Sequence, residues 1–251
     1  AGIFAKVRNA IQRCVARSLR IFSALVGVLA AIIRHQSRLV LVRGAWRVVR
    51  DEGLLGLRQK FLQFAHANIT YARWILLHDT LDEKDREAIR THVSVLMDQP
   101  LISVLMPTYN TKEQWLRLAI ESVRRQLYPN WELCIADDAS TAPHVRSVLE
   151  EFSRLDQRIR VVFRQTNGHI SAASNTALGI ARGDFVALLD HDDELPEHAL
   201  YMVAVAVNEN PSLDLIYSDE DKIDESGGRF GPYFKPDWNP DLFSCQNMIC
   251  H

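Results

Sequence analysis

The sequence predicts an α/β protein, because short apolar runs alternate with helical stretches from Pro100 onward. The apolar runs predict strands at 101–106, 131–136, 159–164, 185–189 and 213–217. The stretches between them predict helices at 111–127, from 143 onward, at 171–181 and at 196–208. Strands separated by helices at this pitch form a mostly parallel sheet with right-handed crossovers and flanking helices.

Local signals support several of these elements. Thr111 and Gln114 have capping-box spacing, which predicts a helix start. Pro143 suits the first turn of the next helix. The run from Phe185 to Leu189 consists of five apolar residues and predicts a strand buried on both faces. Gly227 and Gly228 predict the turn of a hairpin.

The front of the chain differs sharply in charge from the rest. Residues 1–78 hold 13 Lys and Arg against two acids, a balance of +11 in a chain of net charge -2. We therefore predict a basic amphipathic helical segment at 1–98, whose residues 81–98 form a link, and a separate domain at 99–251. The apolar stretch 21–33 is too short to cross a bilayer, which needs roughly 20 residues.

Two interpretations of the basic segment remain open. A basic helix with an apolar face can lie on an anionic membrane surface. It can equally form a helical hairpin that packs on another domain of a larger parent protein. The sequence has no nucleic-acid recognition motif, and a nucleic-acid partner is not expected.

The cysteines indicate a reducing compartment. Four are present, at positions 14, 134, 245 and 250, without C-x-x-C spacing, so a disulfide framework is not expected in so long a chain. Cys245, Cys250 and His251 lie close in sequence. We interpret them as free thiols and a packing residue near a helix end, in preference to metal ligands.

Acidic residues follow two of the predicted strands. Asp137 and Asp138 end the second strand, and an Asp-His-Asp-Asp run at 190–193 ends the fourth. Because parallel strands open on the same edge, the two clusters are expected to share one pocket. The sequence lacks G-x-G-x-x-G and G-K-[ST] phosphate loops, so we expect a hard divalent metal to bridge phosphates there. Asp193 and Glu194 have two open readings, a direct role or capping of the next helix.

The second half of the chain resembles family 2 glycosyltransferases over residues 101–251. Four motifs occur in the family's order, and a fifth stretch is similar to bacterial members that build rhamnan and O-antigen chains. These segments are 103–110 (SVLMPTYN), 137–141 (DDAST), 167–175 (NGHISAASN), 190–193 (DHDD) and 217–224 (YSDEDKID).

The resemblance implies a GT-A-type nucleotide-binding fold and sugar transfer from a nucleoside diphosphate. It implies an inverting, metal-dependent enzyme that extends a cell-surface polysaccharide or lipid-linked acceptor at the cytoplasmic face of the bacterial plasma membrane. Either Asp137 or Asp138 would accept a hydrogen bond from the base. The donor-binding residues it implies are Pro107, Thr108, Tyr109, Asn110, Asp137, Asp138, Gly168, Asn175 and Asp190. The ligands it implies for Mg or Mn on the diphosphate are Asp190, Asp192 and Asp193. His191 lies between these candidates and is a second choice.

The general base of the family does not match any residue before His251. An inverting transfer needs such a base opposite the leaving group. Within the chain, three acids are candidates for a substitute general base: Asp219, Glu220 and Asp221. Alternatively, they form a solvated acidic turn. We therefore expect the base beyond residue 251.

A second reading of the chain is a non-catalytic docking module of a larger synthase. A nucleotidyltransferase is disfavoured because the glycine- and lysine-rich first loop is absent.

Overall fold

A computed structural model describes residue 50 and residues 70–249, which contain parts of two compact units. One unit is Leu81–Tyr217, and residues 70–80 and 218–249 belong to the other. Most of the basic segment, together with Cys14, Cys250 and His251, lies outside the described residues, so the interpretations that concern them stay predictions. Within the described ranges, no helix is both long and apolar enough to cross a bilayer.

The predicted α/β class is confirmed by a four-stranded parallel sheet in the first unit. Its strands are β1 (Ile102–Thr108), β2 (Trp131–Asp137), β3 (Ile159–Phe163) and β4 (Phe185–Leu188), in the spatial order β3-β2-β1-β4. The helices of this unit are α1 (Glu83–Val95), α2 (Glu113–Arg124), α3 (Pro143–Leu155), α4 (His169–Leu178) and α5 (Ala199–Glu209).

The two central strands form the core. Every residue of β1 and β2 is buried. One hydrophobic cluster joins alternate residues of these strands to apolar residues of α2 and α3, including Leu116, Ile120, Leu149 and Phe152. A smaller cluster joins Leu105, Cys134 and Ala136 to two alanines of α4, Ala173 and Ala177. Small side chains on α4 let this helix approach the sheet closely, just beside the strand ends.

Strand β4 differs from the prediction of burial on both faces. Val186 is 46% exposed and Leu188 is 69% exposed. The physical reason is the position of β4 in the sheet, because it pairs only with β1 among the described strands and is therefore an edge strand. An apolar run does not reveal whether a neighbouring element covers both of its faces.

Three local predictions were wrong. Residues 213–217 do not form a strand, because no described strand pairs with them, and Leu215 is 49% exposed. The stretch 81–98 is no simple link, since α1 begins with a capping box between Asp82 and Asp85 and buries Val93. Helix α2 has no side-chain cap; its N-cap is Lys112, whereas the hydroxyl of Thr111 is buried.

A buried polar cluster fixes the amino end of the sheet. Glu132 Oε1 accepts hydrogen bonds from Ser103 Oγ at 2.7 Å and from the backbone N–H of Arg182 at 2.5 Å. Glu132 Oε2 lies 3.2 Å from Arg160 Nη1. Burial alone would raise the pKa of Glu132, but these donors and the positive charge of Arg160 outweigh it and lower the pKa. The cluster thereby ties the entry of β4 to β1 and β2.

The second unit confirms the predicted hairpin. Strands β5 (Glu220–Ile223) and β6 (Arg229–Tyr233) pair antiparallel. Gly227 in the turn has φ +80, a value that favours glycine. Residues 70–78 are helical, and α6 (Pro240–Cys245) follows the hairpin.

Candidate donor site

The carboxyl edge of the sheet collects most of the predicted site residues. The chain moves from β1 to β2 and β3 on one side and then returns to β4 on the other, so the order of the strands reverses between β1 and β4. Ligands of open α/β sheets bind outside the carboxyl ends at such a point. The two acidic clusters follow β2 and β4, with β1 between them, and strands are about 4.8 Å apart. The two acidic clusters therefore lie at the same carboxyl edge of the sheet, where the sequence analysis expects them.

Backbone strain also concentrates at this edge. Asn110, Ala139 and His169 have φ values of +47, +60 and +63. They are the positive-φ residues other than glycine in the part of the chain that the structure describes. They follow β1, follow β2 and begin α4, respectively. Left-handed backbone is unfavourable for alanine in particular, and such strain clusters at ligand-binding sites.

Asp138 is held entirely by its neighbours. Its side chain is 3% exposed, and Arg164 Nε lies 2.8 Å from Asp138 Oδ1. The backbone N–H of Gly168 donates to both carboxylate oxygens, at 3.0 and 3.1 Å. Arg164 Nη1 donates in turn to the carbonyl of Ala172 and to Thr176 Oγ1, both on α4. Asp138 and Arg164 thus fix the loop that precedes α4.

Gly168 is required by this packing. A Cβ atom at this position would lie 2.5 Å from Arg164 Nη2 and 2.9 Å from the Cβ of Ala172. Its N–H is also occupied by Asp138. The position was predicted as donor-binding; the contacts add a structural reason for glycine, and the role in donor binding stays a prediction.

Asp137 has a different environment from Asp138. It is 4% exposed, yet Asp137 Oδ1 has no hydrogen-bond partner among the described residues. Oδ2 accepts one long hydrogen bond, 3.3 Å, from the N–H of Ser140. Thr108 is its register neighbour on β1, and the buried Thr108 Oγ1 also has no partner in that range. Buried polar atoms are nearly always hydrogen-bonded, so this adjacent pair is available to a hydrogen-bonding ligand.

Asn110 connects the loops that follow β1 and β2. Asn110 Oδ1 accepts hydrogen bonds from the N–H groups of Thr141 and Ala142, at 2.8 and 2.9 Å. The N–H of Asn110 donates to Ser140 Oγ at 2.9 Å. Beside it, Tyr109 is 46% exposed at the sheet edge. Asn110 therefore shapes the edge, whereas Tyr109 is exposed to solvent.

The other predicted donor residues lie on either side of this edge. The carbonyl of Pro107 is contacted by His191 Nδ1 at 3.1 Å, which connects the loop after β4 to the end of β1. Asn175 is exposed on α4. Asp190 is half-buried at the end of β4, and its carbonyl accepts a hydrogen bond from the N–H of Asp193 at 3.2 Å.

The acidic loop after β4 is compatible with a divalent cation that also binds phosphate. No three His, Cys, Asp or Glu side chains within residues 70–249 converge into a protein-only metal cluster. Asp192 is exposed, and within the same range its carboxylate makes no ion pair or hydrogen bond. Mg²⁺ binds typically through one or two carboxylates plus substrate phosphates, so an exposed carboxylate fits that chemistry.

The three substitutes for the general base all have partners within the second unit. Asp219 Oδ1 accepts a hydrogen bond from the N–H of Lys235 at 2.7 Å, and Glu220 pairs with Lys235 Nζ at 2.8 Å. Asp221 Oδ2 pairs with Arg229 Nε at 2.6 Å. These contacts favour structural roles for the three carboxylates.

Arg164 is the residue that the sequence analysis missed. It follows the last residue of β3 and was treated only as the end of an apolar run. The available signal was a single arginine directly after a buried strand, next to the sheet edge that carries two acidic clusters. A charged residue in that position usually has a buried partner.

Together, the four-stranded parallel sheet, its crossovers and its flanking helices form an α/β domain. The chain belongs to glycosyl transferase family 2, whose sequence profile matches residues 103–244, more than half of the chain. This confirms the family resemblance and the fold class that it implied.

The chain spans less than a fifth of the length of two curated relatives that it matches. An uncharacterized protein of Sinorhizobium fredii, y4gI, is 51% identical over 172 residues, which are 67% of this chain and 19% of the relative. The O-antigen biosynthesis protein RfbC of Myxococcus xanthus is 42% identical over 164 residues, 65% of this chain and 13% of the relative. Among solved structures, S. aureus TarS 1-349 in complex with UDP-GlcNAc has a TM-score of 0.41 and 30% identity, covering 44% of this chain and 32% of that chain.

Proposed function

We propose that this chain carries the donor-binding part of an inverting glycosyltransferase that moves a sugar from a nucleoside diphosphate to a polysaccharide or lipid-linked acceptor. Membership of family 2 supports the reaction class. One observation carries the assignment of the site. Asp137 and Thr108, at the carboxyl ends of adjacent strands, each have a buried oxygen without a hydrogen-bond partner among the described residues.

In this proposal Asp137 accepts a hydrogen bond from the nucleotide base, and Thr108 and Tyr109 line the base and ribose pocket. The two buried oxygens then gain the partners that the described residues do not provide. Asp138 acts through Gly168 and Arg164 by fixing the loop before α4, without touching the nucleotide. Of the two carboxylates that the sequence left open, we therefore assign the base contact to Asp137.

The diphosphate lies, in this proposal, at the acidic loop after β4. Asp192, with Asp190 and Asp193, would hold Mg or Mn there, which would neutralise the charge that develops on the leaving diphosphate. Asp190 would also reach the ribose. The contact between His191 and the carbonyl of Pro107 keeps this loop next to the end of β1.

The proposal assigns no general base that would deprotonate the acceptor hydroxyl. Single displacement requires a base opposite the leaving group, and the contacts of Asp219, Glu220 and Asp221 argue against them. These contacts are also what favours the second candidate, a non-catalytic nucleotide-sugar-binding module of a larger synthase. Release of UDP in the presence of acceptor by the parent protein favours the enzyme; donor binding without transfer favours the module.

The similarity to the O-antigen biosynthesis protein RfbC supports a cell-surface polysaccharide or its lipid-linked precursor as acceptor. We place the protein on the cytoplasmic side of a bacterial plasma membrane, where nucleotide sugars are made. The basic segment of residues 1–78 would hold it at the membrane surface or on another domain.

The metal part of the proposal is tested by titrating the chain with UDP- and dTDP-sugars, with and without Mn²⁺. Asp192→Ala is expected to weaken metal-dependent binding at least about tenfold. Asp214→Ala is the matched control, because Asp214 is an exposed aspartate in the same unit, away from the strand ends. The proposal is contradicted if Mn²⁺ does not change the affinity and the wild type, Asp192→Ala and Asp214→Ala bind equally well.

A further inference from the structure

An ion cluster in the second unit joins residues 70–80 to the hairpin of β5 and β6. Arg229 Nη1 lies 2.5 Å from Asp79 Oδ2, and Arg229 Nε lies 2.6 Å from Asp221 Oδ2. The hydroxyl of Tyr71 donates to the same oxygen of Asp221. These four residues, Tyr71, Asp79, Asp221 and Arg229, are called the Arg229 cluster below.

The cluster is shielded from water. The side chains of Asp79 and Asp221 are 15% and 12% exposed, and that of Arg229 is 31% exposed. Tyr71 is buried, and its ring stacks on Trp74 with centroids 5.8 Å apart. Charge-assisted hydrogen bonds are stronger than neutral ones, and shielding limits their screening by salt.

The protonation states keep the cluster intact around neutral pH. Burial and the hydrogen bond to Asp221 raise the pKa of Tyr71 to about 12, so the hydroxyl remains a neutral donor. Burial alone would lower the pKa of Arg229, but its hydrogen bonds to Asp79 and Asp221 outweigh this and raise it. Arg229 therefore remains a cation between two carboxylates.

The cluster crosses the boundary of the family match. Asp221 and Arg229 lie within residues 103–244, whereas Tyr71 and Asp79 precede them. The hairpin also carries Glu220, whose carboxylate pairs with Lys235, a residue that follows β6. The two residues ahead of the family match thus complete the contacts that fix an acidic hairpin inside it.

We propose that Tyr71 and Asp79 are positioning residues that hold the β5–β6 hairpin for sugar transfer, so that the working transferase module includes residues 71–79 ahead of the family match. The structural part of this proposal is independent of the donor site. The part that concerns transfer rests on the function proposed above.

The test is amide hydrogen exchange on the full chain carrying Tyr71→Phe or Asp79→Asn. Tyr71→Phe retains the aromatic ring and removes only the hydroxyl. We expect amides of 220–223 and 229–233 to exchange about tenfold faster in both variants, with β1 and β2 unchanged. The matched control is Tyr201→Phe, which removes a hydroxyl bonded to His92 in the first unit and should leave the hairpin unchanged. Wild-type exchange of the hairpin in both variants overturns the proposal.

A double variant distinguishes direct coupling from general loosening. Because Tyr71 acts through Asp221, Tyr71→Phe combined with Asp221→Asn should speed hairpin exchange no more than Asp221→Asn alone. If the two substitutions multiply each other's effect on the exchange rate of the hairpin, a direct contact between Tyr71 and Asp221 is contradicted.

Steady-state kinetics of the active parent protein tests the role in transfer. Tyr71→Phe should lower kcat about tenfold and leave UDP affinity unchanged, and wild-type kcat refutes that role. Absence of transfer in the wild type counts against the proposed function alone, since the exchange result stands by itself.

Discussion

The same substitution is expected to change the free energy of unfolding very differently at Asp137, the last residue of β2, and at Asp138, which follows it. Asp138→Asn removes a charge that Arg164 approaches at 2.8 Å and that accepts the N–H of Gly168 on both oxygens. The amide nitrogen of the asparagine would face one of these donors and leave the arginine uncompensated. Removing one partner of a buried ion pair costs about 3–5 kcal/mol.

Asp137→Asn removes a buried charge that the protein hardly compensates. Its Oδ1 has no partner among the described residues, and its remaining hydrogen bond is 3.3 Å long. Loss of that bond is offset by relief from burying a charge. We therefore expect the free energy of unfolding to stay within about 1 kcal/mol of the wild type, or to rise.

Differential scanning calorimetry of the two variants measures this contrast. Asp138→Asn should lower the Tm by on the order of 10 °C, whereas Asp137→Asn should leave it nearly unchanged. Equal and large losses would refute the reasoning, because they would make Asp137 a structural carboxylate like its neighbour. A neutral Asp138→Asn would refute the anchoring role of the contact with Arg164.

Three further predictions concern other parts of the chain. Glu132→Gln should destabilise the protein by about 2–3 kcal/mol at pH 7. Because the pKa of Glu132 is lowered in the folded state, its stabilisation is complete above pH 4.5 and is lost as the pH falls below that value. Urea unfolding should therefore show that the stability difference between wild type and variant shrinks below pH 4.5. Burial raises the pKa of the Cys134 thiol to about 11, so iodoacetamide at pH 8 should label exposed Cys245 and spare Cys134 in the native protein, as read by peptide mass spectrometry. The basic segment should bind anionic vesicles in cosedimentation and release them at high salt; equal binding to neutral vesicles contradicts this.

The strand pattern of the first unit could be predicted because it depends on local composition. Apolar runs ended by polar residues marked β1 to β4, and Pro143 marked the start of α3, where the structure has proline in the first turn. The polarity of a parallel sheet then placed Asp137 and the acidic loop after β4 on one edge. These steps use only local patterns and the general rule for crossovers.

The remainder depends on contacts that are distant in sequence. The exposure of Leu188 follows from the edge position of β4, which no local pattern encodes. The distinct environments of Asp137 and Asp138 depend on Arg164, 26 or more positions later, and on the approach of Gly168. Strand pairing likewise decides whether an apolar stretch such as 213–217 becomes a strand, and this stretch pairs with no strand of the described residues.

The measurement that tests the central claim most directly is calorimetric titration of UDP into wild-type protein and Asp137→Asn, in the presence of Mn²⁺. The matched control is Glu151→Gln, which removes a surface carboxylate paired with Arg117, away from the strand ends. The account predicts saturable binding to the wild type and the control, and an affinity at least about tenfold lower in Asp137→Asn, since a buried hydrogen bond to a charged group is lost. Equal UDP affinity in all three proteins would contradict the claim that Asp137 binds the nucleotide.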